Sequence, residues 1–165
     1  VADEGDGVRI GSSTAKNTGL AGLQEWKLAN GTWSLLNVFQ KGLIDQSPYA
    51  LKDGSGNTLW NVYTDGLRNL TGQTNSDGTF TLFATTSTVS NEQTHDLGAD
   101  PNELVSITIG ADSTPQNTLF TVLQTAAAGD RLGGVALAPV PEPESIALLL
   151  GGLGVMSWFA RRRAA

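Results

Sequence analysis

The side chains able to do chemistry are few, and most sit in polar, glycine-containing loops. His95 is the single histidine. It lies in Ser90-Asn91-Glu92-Gln93-Thr94-His95-Asp96, a run that reads as solvated, and no Gly-x-Ser-x-Gly elbow is present to give a serine hydrolase its geometry. The chain has no cysteine, so it holds no thiol nucleophile, no disulfide and no cysteine-based zinc site. It has neither a phosphate-cradling glycine loop nor a dinucleotide fingerprint. Two loops alternate oxygen side chains with glycine, as the start of a calcium loop does: Asp3-Glu4-Gly5-Asp6-Gly7 and Asp53-Gly54-Ser55-Gly56-Asn57. The second lacks a glycine at its sixth position and a glutamate at its twelfth. Both also read as ordinary turns, where Gly, Asn and Asp supply a positive φ. Trp26, Trp33 and Trp60 would make a sugar-stacking surface if exposed together, suited to an extracellular polysaccharide. As strand residues they serve equally as packing. These patterns assign no catalytic residue, no cofactor and no metal site, and the chain is not read as an enzyme.

The strongest chemical signal lies at the C-terminus. The chain there reads Val140-Pro141-Glu142-Pro143-Glu144-Ser145, then an apolar run from Ile146 to Ala160, then Arg161-Arg162-Arg163. The prolines fix φ and remove backbone donors, so 141–143 stays extended, in a form that a processing enzyme can grip. The run contains Ile146, Leu148, Leu149, Leu150, Leu153, Val155, Met156, Trp158 and Phe159 and carries no charge, which suits lipid. About 18 residues are usual for a membrane span, and Gly151, Gly152 and Gly154 weaken a helix. A core helix, however, would be amphipathic, and this run is apolar all round. Arginines that snorkel can lengthen a short span. By the positive-inside rule Arg161, Arg162 and Arg163 act as a stop-transfer cluster in the cytoplasm, leaving everything before Pro141 outside.

These three parts, in this order and at the extreme C-terminus, resemble the PEP-CTERM sorting signal of bacterial envelope and extracellular proteins. The resemblance covers 140–163. It implies that the tail holds the protein at the membrane until an exosortase, a membrane-embedded cysteine transpeptidase-like enzyme, recognises and processes it. Pro141, Glu142 and Pro143 would be the recognition triplet. The implied localisation is export, membrane anchorage through the tail, and then the cell surface or extracellular matrix.

The chain has 165 residues, enough for one domain once the tail is set aside. Removing Arg161, Arg162, Arg163, Glu142 and Glu144 from 10 basic and 16 acidic residues leaves 7 against 14, a net charge of −7 for the body. No basic patch is available to displace counterions from phosphate, which argues against nucleic acid as a partner. Val1 is not an initiator methionine, and no signal peptide precedes Ala2-Asp3-Glu4. A body held outside needs an export signal, so the chain reads as the C-terminal part of a longer precursor.

The body, 1–139, is rich in Gly, Thr, Ser and Asn, and β-prone runs recur between turn signals. Leu23–Leu28 and Thr32–Phe39 flank Asn30-Gly31, a hairpin turn signal. A strand over Leu67–Gln73 turns at Asn75–Gly78 into Thr79–Thr86. Leu104–Ile109 and Phe120–Thr125 form a further pair, and Leu132–Ala138 a last strand. Gly42–Val62 reads as a long insertion. The runs repeat weakly: Gly66–Gly72 looks like Arg131–Leu137, and the pair at Glu25–Phe39 looks like that at Leu104–Gln124. The order is two outer strands, a glycine-rich inner strand, a hairpin strand, two more outer strands, and one more inner strand. This pattern resembles extracellular bacterial β-propeller proteins that carry such a tail. The expected fold is therefore all-β, a partial propeller followed by a single C-terminal hydrophobic helix; a β-sandwich or jelly roll fits the strand spacing as well. Two functions remain open: a non-catalytic surface or matrix protein that binds or scaffolds, or an exported propeller enzyme whose active residues lie in a missing N-terminal part.

Overall fold

Strand-forming side chains separated by Gly, Asn and Asp turns produce an antiparallel β body. The structure, a computed structural model, describes residues 1–7, 19–43, 48–89, 101–138, 148–153, 155, 156, 161 and 162. The strands are β1 (Ala2–Asp3), β2 (Gly22–Ala29), β3 (Thr32–Phe39), β4 (Tyr49–Lys52), β5 (Thr58–Val62), β6 (Thr64–Thr74), β7 (Phe80–Thr88), β8 (Glu103–Ile109) and β9 (Thr121–Thr125). Among the described residues they form three sheets, ordered β1-β2-β3, β4-β5 and β6-β7-β8-β9. Every pairing is antiparallel.

The turns follow from their residues. Asn30 and Gly31 both take positive φ, 52° and 77°, between the paired Ala29 and Thr32. That is the two-residue hairpin geometry whose twist matches the strands it joins. At the β6–β7 turn, Asn75 N–H donates to Thr79 O at 2.8 Å, and Thr79 N–H donates to the Asp77 carboxylate at 2.9 Å.

One core joins the end of the β2–β3 hairpin to the four-stranded sheet. Leu23 and Phe39 from β2–β3 meet Leu67, Ala84, Val105 and Ile107 from β6–β8, with Leu43 and Phe120 closing one edge. Phe120 N–H donates to Lys41 O at 2.9 Å, which ties the two connections together. Gly42 allows this approach: its φ is 77°, and a Cβ there would come within 2.7 Å of Phe120 O. The far end of β7 is buried on both sides through hydroxyls. Thr85 donates to Arg68 O at 3.2 Å, Thr86 accepts from Glu103 N–H at 2.9 Å, and Ser87 donates to Glu4 O at 2.5 Å.

The all-β expectation holds, and the Asn30-Gly31 hairpin and the β6, β7, β8 and β9 strands lie where their residues place them. Among the described residues no closed propeller is present: the strands make one four-stranded sheet and two smaller ones. The long insertion Gly42–Val62 carries the β4–β5 hairpin. One reading needs correction: Leu132–Ala138 is not a strand. Its Gly133-Gly134 pair is poor in strand propensity, and the Leu132 backbone is satisfied by the side chain of Asn102 instead of a neighbouring strand.

Candidate functional site

The C-terminal segment carries the sequence-derived site. Residues 148–153, 155, 156, 161 and 162 are helical. Leu148, Leu149, Leu150, Leu153, Val155 and Met156 are all exposed, Leu148 at 78%. None of them joins the core of the body, as expected for a segment set apart from it. Arg161 and Arg162 are exposed as well. Pro141, Glu142, Pro143, Ile146, Trp158, Phe159 and Arg163 lie outside the described residues, as does His95. Among the described residues no helix is long and apolar enough to cross a membrane.

The attachment of this segment to the body was not visible in the sequence. Asn102, at the start of β8, is 2% exposed. Its side-chain amide uses both donors and its oxygen. Nδ2 donates to Thr86 O and to Leu132 O, each at 3.0 Å, and Oδ1 accepts from Leu132 N–H at 2.8 Å. The side chain thus imitates a peptide group and makes with Leu132 the two-bond exchange of an antiparallel pair. Asn69 adds a second hold. It sits at a β-bulge with φ 49° and donates from Nδ2 to Gly133 O at 2.6 Å. A small polar side chain tolerates this left-handed backbone. Arg68, Asn69, Arg131 and Gly133 line an open cleft here with Ala2 and Glu4.

The acidic N-terminal loop folds onto β6. Asp3 accepts from Gly5 N–H at 3.0 Å and from Gln24 Nε2 at 2.7 Å, and Glu4 pairs with Arg68 at 2.6 Å. Asp65 is 2% exposed and accepts from Gly7 N–H at 2.6 Å through Oδ2, while its buried Oδ1 has no hydrogen-bond partner. Burial, with Asp6, Asp3 and Glu4 nearby, pushes the Asp65 carboxyl up to about 6 against the single opposing Gly7 N–H. The Asp53 loop is a turn: its carboxylate accepts from Ser55 N–H, Asn57 N–H and Asn57 Nδ2. These bonds, Asn57's first, hold Asp53 below the usual carboxylate range. Among the described residues no group of three His, Cys, Asp or Glu is arranged to hold a metal ion.

The tryptophans separate. Trp26 pairs with Leu35, and Leu28 with Trp33, so Trp26 and Trp33 lie diagonally on one face of the β2–β3 hairpin, within reach of a common ligand. They are 41% and 62% exposed. Trp26 Nε1 donates to Gln24 Oε1 at 2.8 Å, and Gln24 Nε2 is held by Asp3 and Leu20 O, so one of the two indoles is braced. Trp60 is half-buried in the separate β4–β5 sheet.

The β body continues into a C-terminal segment of exposed leucines and arginines. Residues 139–163 match the family model of the PEP-CTERM protein-sorting motif, which supports an exported protein sorted by an exosortase. No match to this chain was found among curated proteins or among solved structures.

Proposed function

We propose that this chain is an exosortase substrate, held at the membrane by 146–160, processed at Pro141-Glu142-Pro143 and delivered to the cell surface or matrix. The observation that carries the reading is the sorting-motif match over 139–163. The exposure of the described apolar residues of the tail supports it, because surface of that kind needs a partner outside the body. Arg161, Arg162 and Arg163 stop translocation, since each costs roughly 2.5–3.5 kcal/mol at the centre of a span. The test is an immunoblot of membrane and extracellular fractions from strains with and without an exosortase. Replacing Pro141-Glu142-Pro143 by three alanines should leave the protein membrane-bound at precursor mass, and replacing the three arginines by serine should weaken retention. Release of the wild-type chain at one mass in both strains would show an ordinary apolar segment.

The body is read as a binding or scaffolding domain. The Trp26–Trp33 face favours a flat, uncharged ligand such as an extracellular polysaccharide, because an indole stacks on a sugar ring. Trp33→Ala should abolish retention on an insoluble polysaccharide matrix without lowering Tm, and unchanged retention sinks this reading. The sequential meander β6-β7-β8-β9, sharing its core with the end of the β2–β3 hairpin, supports the body as one propeller blade with part of another. An enzyme remains the alternative if further blades bring acid and base groups to a central channel.

A further inference from the structure

Among the described residues, the last hydrogen bonds from the body to its outgoing chain are at Leu132 and Gly133. Asn102 satisfies both backbone groups of Leu132, and Asn69 takes the carbonyl of Gly133. Among the described residues, Gly134–Ala138 makes no hydrogen bond to the body, and neither Gly133 nor Gly134 has any atom within 4 Å of where a Cβ would stand. The seven residues 134–140 separate this clamp from Pro141.

We infer that the Asn102–Asn69 clamp sets a spacer between the folded body and the sorting triplet, and that exosortase processing depends on its length. This rests on the reading of 140–163 as a sorting signal. Seven residues reach at most about 25 Å when extended. A body of this size has a radius of gyration of about 14 Å. The triplet sits only a few residues before the apolar run, so the enzyme works at the membrane surface. A shorter spacer would press the body against the enzyme there. Without the clamp, the chain would be loose from the end of β9 and spacing would not matter. With it, the reach is fixed by a buried amide whose donors and acceptor are all used.

The test keeps the full chain in a strain that has the exosortase. Deleting 134–138 leaves two residues, about 7 Å of reach, and should lower the processed fraction at least tenfold. The Tm of the body should not change, because the deletion lies outside the clamp. Replacing 134–138 by five Gly and Ser residues restores the length and should restore processing. Amide exchange on the full chain should protect Leu132 and leave Gly134–Ala138 at open-chain rates. Processing of the deletion at the wild-type rate overturns the inference. So does failure of the Gly/Ser replacement, which would mean that sequence is read there instead of length. Leu132 exchanging as fast as Gly134 removes the clamp. If the wild-type chain itself is not processed in this strain, the sorting-signal reading fails instead, and the two failures are thereby distinguished.

Discussion

Leu67 and Leu148 are the same residue type with opposite fates: one is 1% exposed on β6, the other 78% exposed in the C-terminal helix. The difference lies in what the chain places opposite each. In the body, strands alternate their side chains, so Leu67, Ala84, Val105 and Ile107 fall on one face of a sheet, and Leu23 and Phe39 on the hairpin across from it. These side chains remove one another from water. In the tail, leucines follow one another directly at 148, 149 and 150, so they point in several directions around a helix, and no single neighbour could cover them all. Apolar side chains alone therefore do not make a core. Periodicity decides whether the protein supplies the partner or must find it elsewhere.

The sharpest way to break this comparison is to truncate one residue of each kind. Phe39 is wholly buried at the centre of the core. Phe39→Ala should cost about 3–5 kcal/mol, the usual loss for a fully buried phenylalanine with the cavity it leaves. Chemical denaturation should show the midpoint falling with the slope unchanged. Leu150→Ala should leave the same curve in place within about 0.5 kcal/mol. Equal losses in the two variants would mean that the tail packs on the body.

The body also contains a group that its own burial works against, and pH exposes it. The Asp65 carboxyl titrates near 6 in the folded protein, against 3.8 when unperturbed. The native state therefore binds a proton more tightly than the unfolded chain. Between pH 3.8 and about 6 the unfolded state sheds that proton first, so stability falls as pH rises and levels off above 6. Two pKa units correspond to up to about 3 kcal/mol. Asp65→Asn keeps an oxygen for Gly7 N–H and places a neutral amide among Asp3, Glu4 and Asp6. The variant should be more stable than wild type at pH 7.5 by about 1–3 kcal/mol, with the advantage vanishing at pH 4. Urea melts at the two pH values measure it, and an advantage that grows toward acid would refute the assignment.

What the sequence revealed and what it hid divide along the same physical line. Local chemistry was legible. Asn30-Gly31 specifies its turn because few residue pairs accept two positive φ values, and the β7, β8 and β9 strands announce themselves by β-branched and aromatic residues between turns. The sorting segment was legible because prolines, an apolar run and arginines each act without tertiary help, and 139–163 matches its motif. Side-chain substitutes for backbone pairing were not legible. Leu132–Ala138 looks like a strand because its repeat partner at β6 is one, yet Asn102, thirty residues away, takes the place of the ladder. Asp53–Asn57 was legible as a turn, and its self-bonded carboxylate makes it the turn of the β4–β5 hairpin, whose short flanking strands were not legible. Nor could sequence show that Asp65 would be buried beneath Gly5, where a Cβ would overlap its carboxylate.

The smallest expected change in stability accompanies a large change in location, and this gives the comparison its final test. Leu148→Ser, Leu149→Ser and Leu150→Ser together remove three exposed apolar side chains from the described part of the helix. Each leucine is worth roughly 1.5–3 kcal/mol when fully buried in an apolar phase, so a tail that partners lipid should lose several kcal/mol of membrane affinity. None of the three belongs to the core, so the body should melt within about 0.5 kcal/mol of wild type. Co-sedimentation of the full chain with phospholipid vesicles reads the first quantity, and thermal melting reads the second. Vesicle binding that survives the triple substitution would show that the body, with its exposed Trp26–Trp33 face, makes the membrane contact. Lost binding with an unmoved Tm would show that the two halves of the chain answer to different solvents, one inside the protein and one outside it.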